Sequence, residues 1–407
     1  MMAVGGVGAL LALPTVVFGV LGELALLAAF SNKLVRSARQ HIFSAYQCVF
    51  GIAFLIYFGI NNLFLTKGLL WLGYEPIFLE YSHTYACKTS RFLKCFISAT
   101  VSNILYADAI NRAMAIKAKC YQPVTTTKCF VLLCCCVIGG FVAAVPNFII
   151  SNIWLIDGRY ICGKDPAWSQ STVLWTTVHE TLFANGCAQA LSVLFLIMAM
   201  SRDVGKLDNT IDYLHTAHKL PGTLTETVFQ VTFLLREARR DAWVCIIFNM
   251  SLAILMFVRG VIRGFLDWEI YSKFEDNGRT DGVLSFYMII ALEDLVIYLM
   301  MIVFAYHFWL FFFYVPAFRT WIFGETKDTV GGLRRKLEPF LPINPDEEYY
   351  QENWDAGTFY LQNGNPVLYQ RMVQLDKIIN EAQREVSRPT GGTDELRISQ
   401  IDRKKKK

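Results

Sequence analysis

A row of side chains between positions 94 and 112 has the types and spacing needed to hold charged groups. Its members follow one another at intervals of four or three residues: Lys94, Ser98, Val101, Leu105, Asp108 and Arg112. In an α-helix these intervals place them on one face, within about 40° of the direction of Lys94. Asp108 precedes Arg112 by four residues, the order that suits an ion pair within a helix. The row therefore predicts polar groups at one end of a helix face and an ion pair at the other, although the same spacing also fits the buried seam of a helix bundle.

Further ionisable residues interrupt other apolar stretches of the chain. They are His179, Glu180, Arg259, Arg263, Glu293 and Asp294. A charge at bilayer depth costs about 2.5–3.5 kcal/mol and normally faces a partner or a cavity. We expect these residues to form a polar cavity open to the outside, with Lys94 as the partner of Glu293 or Asp294. The alternative for Arg259 and Arg263 is that both extend to the lipid headgroups.

Glu23 lies midway along the first apolar stretch and is the most isolated charge in the sequence. Because burial disfavours the charged form of a carboxyl group, we expect Glu23 to be protonated. Elsewhere we find no nucleophile with a matching base, no zinc-type cysteine spacing, and no glycine-rich phosphate or dinucleotide loop. We therefore expect no enzymatic activity, no cofactor and no metal ion.

These residues must be positioned by membrane-spanning helices. Of the 407 residues, 54% are hydrophobic and only 18% are charged, whereas soluble domains carry about a quarter charged residues. A spanning helix needs about 20 mostly apolar residues. Seven stretches qualify and predict an all-α membrane protein, a seven-helix bundle: 7–30, 42–65, 92–117, 128–151, 172–200, 242–265 and 284–314. The first is too long and ends too basic for a cleaved signal peptide, so we interpret it as a retained span.

Loop charges predict the orientation, because basic residues accumulate in cytoplasmic loops. The loops at 31–41 and 112–128 carry basic residues and no acidic ones, whereas those at 157–165 and 267–281 are mixed or acidic. This asymmetry predicts an N-terminus outside the cell and a C-terminus in the cytoplasm. The net charge of +4 is small and dispersed, so nucleic acid is not an expected partner.

Two longer polar segments are expected in the cytoplasm. Residues 201–241 contain the turn Leu220-Pro221-Gly222 and then a stretch that extends the sixth helix. Residues 325–407 form a tail, partly helical or disordered, behind a membrane domain at 1–324. We find no internal repeat, which weakens a transporter interpretation based on inverted repeats.

Several motifs resemble those of the rhodopsin-like (class A) G-protein-coupled receptors, over residues 7 to about 323. Cys87 lies 25 residues before Arg112, the family's interval between an extracellular disulfide cysteine and the arginine of its Asp-Arg-Tyr motif. That motif reads Asn111-Arg112-Ala113 here. The last span ends with His-Phe-Trp-Leu-Phe at 307–311, and Phe318-Arg319 follows after six intervening residues. This is similar to the family's Asn-Pro-x-x-Tyr motif and its short membrane-surface helix.

The resemblance implies a receptor whose partners are an extracellular ligand and a heterotrimeric G protein. It implies a disulfide from Cys87 to Cys162 that ties the third span to the second extracellular loop, with Cys95 as a rival. It also implies that Arg112 contacts the G protein once released from an acidic partner.

The switch residues carried over from the family are altered in this chain. Asn111 stands where the family has an acid, so we expect Asp108 to hold Arg112 instead. His307 and Phe311 fall on the seventh-span switch. Other departures from the family pattern suggest a divergent branch, of the invertebrate orphan or chemosensory type: Glu23 for Asn, no acid near Gly51, Cys136 for Trp, Gly186 and Leu255 for Pro, and Phe308 for Pro.

The resemblance also bears on the ligand. Lys94 falls where amine receptors carry an Asp, which implies a non-aminergic ligand, such as a carboxylate or a peptide. The seventh span has no lysine, which argues against a retinal Schiff base. The ligand-pocket candidates are Lys94, Ser98, His179, Glu180, Arg259, Glu293 and Asp294.

Two further questions stay open at this point. A multi-pass transporter or channel would use the intramembrane charges as a substrate path, lined by Glu23, Lys94, Asp108, Glu293 and Asp294. The plasma membrane is the expected location, but the run Lys404–Lys407 also fits a dilysine retrieval signal to the endoplasmic reticulum or a contact with anionic lipid, worth about 1 kcal/mol per charge.

Overall fold

The computed structural model describes residues 2–31, 41–117, 126–156, 159–165, 167–216, 222–275 and 283–314, together with Phe318 and Ile322. The tail at 325–407 with its terminal lysines, and most of the basic loop residues used to orient the chain, lie outside these ranges. So does all but two residues of the expected surface helix after the last span.

Within these ranges the chain forms seven long helices, and one occupies each predicted stretch. α1 is Met2–Ser31, α3 is Thr84–Lys117, α4 is Thr126–Ile150, α6 is Gly222–Glu275 and α7 is Val283–Tyr314. α2 begins as an α-helix over His41–Phe54, continues with π-helical geometry over Leu55–Gly68 and ends with Leu69–Trp71. α5 consists of Gln170–His179, a π-helical turn at Glu180–Ala184 and then Cys187–Thr216.

Six of the described helices are long and apolar enough to cross a membrane. The exception is α3, whose 34 residues include the charged row described above. α3 packs against α2, α4, α5 and α6, so its polar side chains are enclosed by other helices rather than exposed to lipid. This arrangement is how a bilayer tolerates a charged helix.

A break in α5 lies beside α3. Gly186 has a φ of +79°, and a Cβ atom there would lie 1.9 Å from the Ser102 hydroxyl oxygen. Only glycine combines this backbone conformation with such a close approach. Gly186 thus bends the helix at the position where the resemblance led us to note a missing proline.

A β-hairpin, which the sequence analysis did not predict, follows α4. Strand β1, Ser151–Ile156, pairs antiparallel with β2, Arg159–Lys164. A disulfide joins Cys162 on β2 to Cys87 in the first turn of α3, which confirms the expected pairing; the rival Cys95 is a free, buried thiol. We call this part of the molecule the disulfide end.

The apolar core lies between the helices at mid-depth. One large cluster joins α1, α2, α3, α5, α6 and α7 and includes Val101 and Leu105. These two residues occupy the middle of the polar row on α3. The core therefore separates the polar residues near the disulfide end from those around Arg112, at what we call the arginine end.

Candidate functional site

The disulfide end contains eleven ionisable side chains that form a cluster of ion pairs. This charge cluster consists of Lys67, Glu80, Arg91, Lys94, Lys164, Glu180, Arg259, Arg263, Asp267, Glu293 and Asp294. Six of them are cations and five are acids, so one positive charge remains after pairing.

The centre of the charge cluster is Asp267 on α6. Its carboxylate lies 2.9 Å from the guanidinium groups of Arg91 and Arg263. Arg263 also reaches Glu293 on α7 at 3.3 Å. Three helices are therefore joined through this one carboxylate and its partners.

Lys164 brings the hairpin into the same cluster. Its amino group lies 3.1 Å from the Glu180 carboxylate and 4.0 Å from that of Asp267, and it donates a hydrogen bond to Thr177. Only 3% of Lys164 is exposed. Sequence reasoning treated this lysine as a loop charge, because the two short strands of the hairpin were not recognised between two predicted spans.

Lys94 does not pair with Glu293 or Asp294, and that expectation was wrong. Its amino group lies 2.9 Å from Glu80, in a short turn just before α3, while Asp294 pairs with Lys67. Burial raises the pKa of Glu80, but the charge and hydrogen bond of Lys94 and the Ser90 hydroxyl outweigh it and lower that pKa to about 2. Glu80 is therefore ionised and neutralises Lys94.

Arg259 is the cation without a carboxylate partner among the described residues. Its guanidinium donates to the Ser98 hydroxyl at 2.8 Å and lies 4.6 Å from the centre of the Phe58 ring. Its Nε has no hydrogen-bond partner, and only 3% of the residue is exposed. Neither Arg259 nor Arg263 extends to the lipid headgroups, because one is buried against Ser98 and the other is paired twice.

The last ligand-pocket candidate, His179, forms no ion pair with the charge cluster in the described part of the chain. Its ring packs against Phe183, and within the described part of the chain its Nδ1 atom has no hydrogen-bond partner. The neighbouring Glu180 faces Lys164, so the two adjacent residues do not share a role in the cluster.

The arginine end holds the predicted Asp108–Arg112 pair. The Arg112 Nε donates to both Asp108 oxygens at 2.9 and 3.0 Å, and a terminal nitrogen donates to Ser44 on α2 at 3.1 Å. Both members of the pair are at most 3% exposed. Asn111 is also buried, but it is Asp108 that holds the guanidinium, as expected.

A third helix takes part in this pair. The Asn249 amide on α6 donates to Asp108 at 2.9 Å, and Gln47 on α2 donates to Asn249 at 3.4 Å. Sequence reasoning missed Asn249, although a lone amide inside the apolar run of the sixth span was a signal that could have identified it. The network therefore connects α2, α3 and α6 through Asp108.

Glu23 is not isolated, in contrast to the expectation. Its two oxygens lie 3.1 and 3.2 Å from the Nδ1 atom of His307 on α7. The His307 ring stacks on Phe248 with centroids 3.9 Å apart and packs against Phe311. Phe311 in turn contacts Phe30 and Phe318, so the two seventh-span switch candidates lie in one aromatic group at the arginine end.

Comparison with solved structures identifies the fold. The crystal structure of squid rhodopsin superposes with a TM-score of 0.59 at 13% sequence identity, covering 88% of this chain and 87% of that one. No protein-family model matches the sequence, and no curated protein is similar to it at a significant level. The chain thus has a rhodopsin-like fold, and with its apolar helices it is a multi-pass membrane protein.

Proposed function

We propose that this chain is a G-protein-coupled receptor that carries an extracellular, non-aminergic signal to a heterotrimeric G protein. The observation that supports this best is the buried Asp108–Arg112–Asn249 network, at the end of a rhodopsin-like bundle opposite the disulfide. The same residues give no nucleophile–base pair, so we propose no enzymatic activity.

The proposed topology has seven spans, with the disulfide end outside and the arginine end in the cytoplasm. α3 is counted as a span because α2, α4, α5 and α6 enclose it. The basic loops of the sequence favour this orientation, and an extracellular disulfide is consistent with an oxidising compartment. We propose the plasma membrane as the location of the receptor, and the terminal lysines as a retrieval signal that needs a separate test.

In the proposed mechanism, Asp108 keeps α6 against α3 in the resting state. Asp108 accepts from Arg112 on its own helix and from Asn249 on α6. A ligand shifts the population toward the signalling state only if it binds that state more tightly. Separation of α6 from Asp108 would open this end of the bundle, and release of Arg112 from Asp108 would then free its guanidinium for the G protein.

The ligand class follows from the charge that remains unpaired. Glu80 neutralises Lys94, so Lys94 no longer argues against an amine by itself. Arg259 takes over that argument, since it is a buried cation that contacts a hydroxyl and an aromatic ring and has no carboxylate at ion-pair distance in the described part of the chain. A carboxylate or another anionic group on the ligand would complete its pairing, whereas an ammonium would be repelled.

A transporter or channel is less consistent with this arrangement. A substrate path would need polar groups that continue from one end to the other. Between Ser98 and Asp108, the same face of α3 presents Val101 and Leu105, both in the apolar core. The polar residues of the two ends therefore do not form a path in the described structure.

The experiment that tests coupling is nucleotide exchange on purified G proteins. The full-length chain in lipid nanodiscs is mixed with a panel of heterotrimeric G proteins representing the main Gα classes, and GTP analogue binding is measured with and without added receptor. We expect acceleration with at least one class, and loss of the acceleration in Arg112→Ala. No acceleration with any class, from a protein that retains its folded thermal transition, would contradict the proposal.

A further inference from the structure

We propose that Glu23, Cys48 and His307 form a binding site for a zinc-class transition-metal ion. The three residues come from α1, α2 and α7 and are 0%, 0% and 1% exposed. A carboxylate oxygen, the Cys48 Sγ and a His307 ring nitrogen all lie within 4.8 Å of one another. This inference does not depend on the proposed signalling function.

The distances suit a tetrahedral ion. With bonds of about 2.0–2.3 Å, zinc holds its ligand atoms about 3.3–3.8 Å apart. The Nδ1 atom of His307 already lies 3.1 and 3.2 Å from the two Glu23 oxygens. All three ligand atoms lie within 4.8 Å of one another, so no pair must approach by more than about 1.5 Å to reach the shortest of these distances.

The three helices present these ligands at one level. Each residue lies seven or eight positions from the arginine end of its helix, which is about 10–12 Å along the axis. Gly51 on α2 keeps the helices close there, because a Cβ atom would lie 2.9 Å from the Phe304 ring and 3.4 Å from a Glu23 oxygen. The stacking of Phe248 on His307 fixes the plane of the imidazole, as supporting contacts do at metal sites.

Charge balance favours a divalent ion here. A carboxylate buried at this depth must be neutralised, and Zn²⁺ cancels one carboxylate and one thiolate while the imidazole stays neutral. A thiolate and an imidazole select zinc or copper over the oxygen-seeking magnesium and calcium. The competing arrangement is a proton held between Glu23 and His307, in which Cys48 stays a thiol that donates a hydrogen bond to Glu23 and binds no metal. Cys48 therefore distinguishes the two.

The test measures metal binding by the full-length chain, purified without a histidine tag in lipid nanodiscs. Zinc content is determined by mass spectrometry before chelation, and after chelation and re-addition of zinc chloride. The variants are Cys48→Ser, His307→Asn and Glu23→Gln. Cys136→Ser serves as the matched control, because Cys136 is a buried thiol that donates to the Asn103 backbone oxygen and lies in a different apolar cluster from the proposed site.

We expect about one zinc ion per chain in the unaltered protein and in Cys136→Ser. Loss of the Cys48 thiolate should weaken zinc binding by about 100-fold or more. Removing a residue that only supports a metal ligand already weakens binding by about 10- to 100-fold, and Cys48 is itself a ligand. Zinc should raise the unfolding temperature of the unaltered chain and leave that of Cys48→Ser unchanged.

A measurement on the unaltered protein keeps the proposal testable if the variants fail to fold. Cobalt(II) bound at this site should show a thiolate-to-metal charge-transfer absorption that zinc displaces. Absence of zinc after re-addition, absence of that absorption, or equal zinc binding by Cys48→Ser would each overturn the proposal and favour a shared proton.

Discussion

At the scale of single residues, Arg259 and Arg263 are two arginines on one face of α6 with opposite environments. Arg263 is paired with Asp267 and Glu293, whereas Arg259 is bound to Ser98 and lies over Phe58. Removing one member of a buried pair leaves an uncompensated charge and costs about 3–5 kcal/mol. Arg259 has no carboxylate at ion-pair distance among the described residues, so its removal relieves a desolvation cost and loses only a hydrogen bond to a neutral hydroxyl and a ring contact.

We therefore expect Arg263→Met to lower the unfolding temperature of the purified protein and Arg259→Met to leave it unchanged or raise it. Thermal unfolding in detergent without added ligand checks both. Destabilisation of equal size by the two substitutions would show that Arg259 has a structural partner and would remove the argument for an anionic ligand.

The Glu80–Lys94 pair gives a pH dependence. Because the folded protein holds the pKa of Glu80 at about 2, below its ordinary value of 4.5, the ionised carboxylate favours the folded state above pH 4.5. That contribution is lost as the pH falls from 4.5 toward 2. The unfolding temperature of the unaltered chain should fall more steeply below pH 4.5 than that of Glu80→Gln. Parallel curves for the two proteins would contradict the assignment.

Apart from the Cys87–Cys162 disulfide, which the family resemblance implied, the contacts that could be predicted from sequence are those within one helix. Asp108 and Arg112 belong to α3, so their four-residue spacing determines that they meet. Lys94 could not be assigned to Glu80, nor Glu23 to His307, because those contacts depend on how separate helices rotate and where a short turn folds back. The spacing of residues along the chain predicts neither the rotation of one helix against another nor the path of a turn.

At the scale of elements, the break in α5 is the feature whose sequence requirement is clearest. Gly186 has both a positive φ and a Cβ position 1.9 Å from Ser102, whereas Gly205, later in the same helix, has nothing within 4 Å of its Cβ position. The two glycines therefore form a matched pair for substitution by alanine.

Gly186→Ala should destabilise the protein by about 1–3 kcal/mol or more, because it combines backbone strain with a steric overlap. Gly205→Ala should be neutral or stabilise by about 0.5–1 kcal/mol, since alanine is favoured inside a helix. Thermal unfolding of both variants at equal expression checks this. Tolerance of Gly186→Ala would mean that α5 continues through this position without the break.

The remaining elements differ in how clearly the sequence predicts them. Six of the seven helices were predictable because each contains a long apolar stretch, and the charged α3 was predictable from a less apolar stretch whose polar side chains follow helical spacing. The β-hairpin between α4 and α5 was not, since its strands are short and border a turn. No residue pattern that we recognise in Leu55–Gly68 predicts the π-helical geometry of α2, and we have no physical account of it.

At the scale of the whole molecule, two polar groups lie at opposite ends of an apolar core. Composition and apolar stretches predicted the membrane helices, and the likeness to squid rhodopsin identifies their arrangement. The cluster at the disulfide end holds its helices together through pairs, with Arg259 as the exception. The group at the arginine end joins α3 to α6 through one carboxylate. Because apolar residues separate the two groups, a change at one end can reach the other only if the helices packed around the core shift relative to one another.

The most direct test of the account is ligand-independent G-protein activation by Asp108→Asn in cells. The substitution keeps the side-chain volume but weakens the hold on Arg112 and Asn249. With surface expression matched to the unaltered chain, we predict a several-fold increase in basal activation, measured by dissociation of the G-protein subunits. Asp165→Asn, a carboxylate of the disulfide end bonded to Asn152, serves as the control and should leave basal activation unchanged. Unchanged or lower basal activation by Asp108→Asn at equal surface expression would contradict the central claim that Asp108 holds the receptor in its resting state.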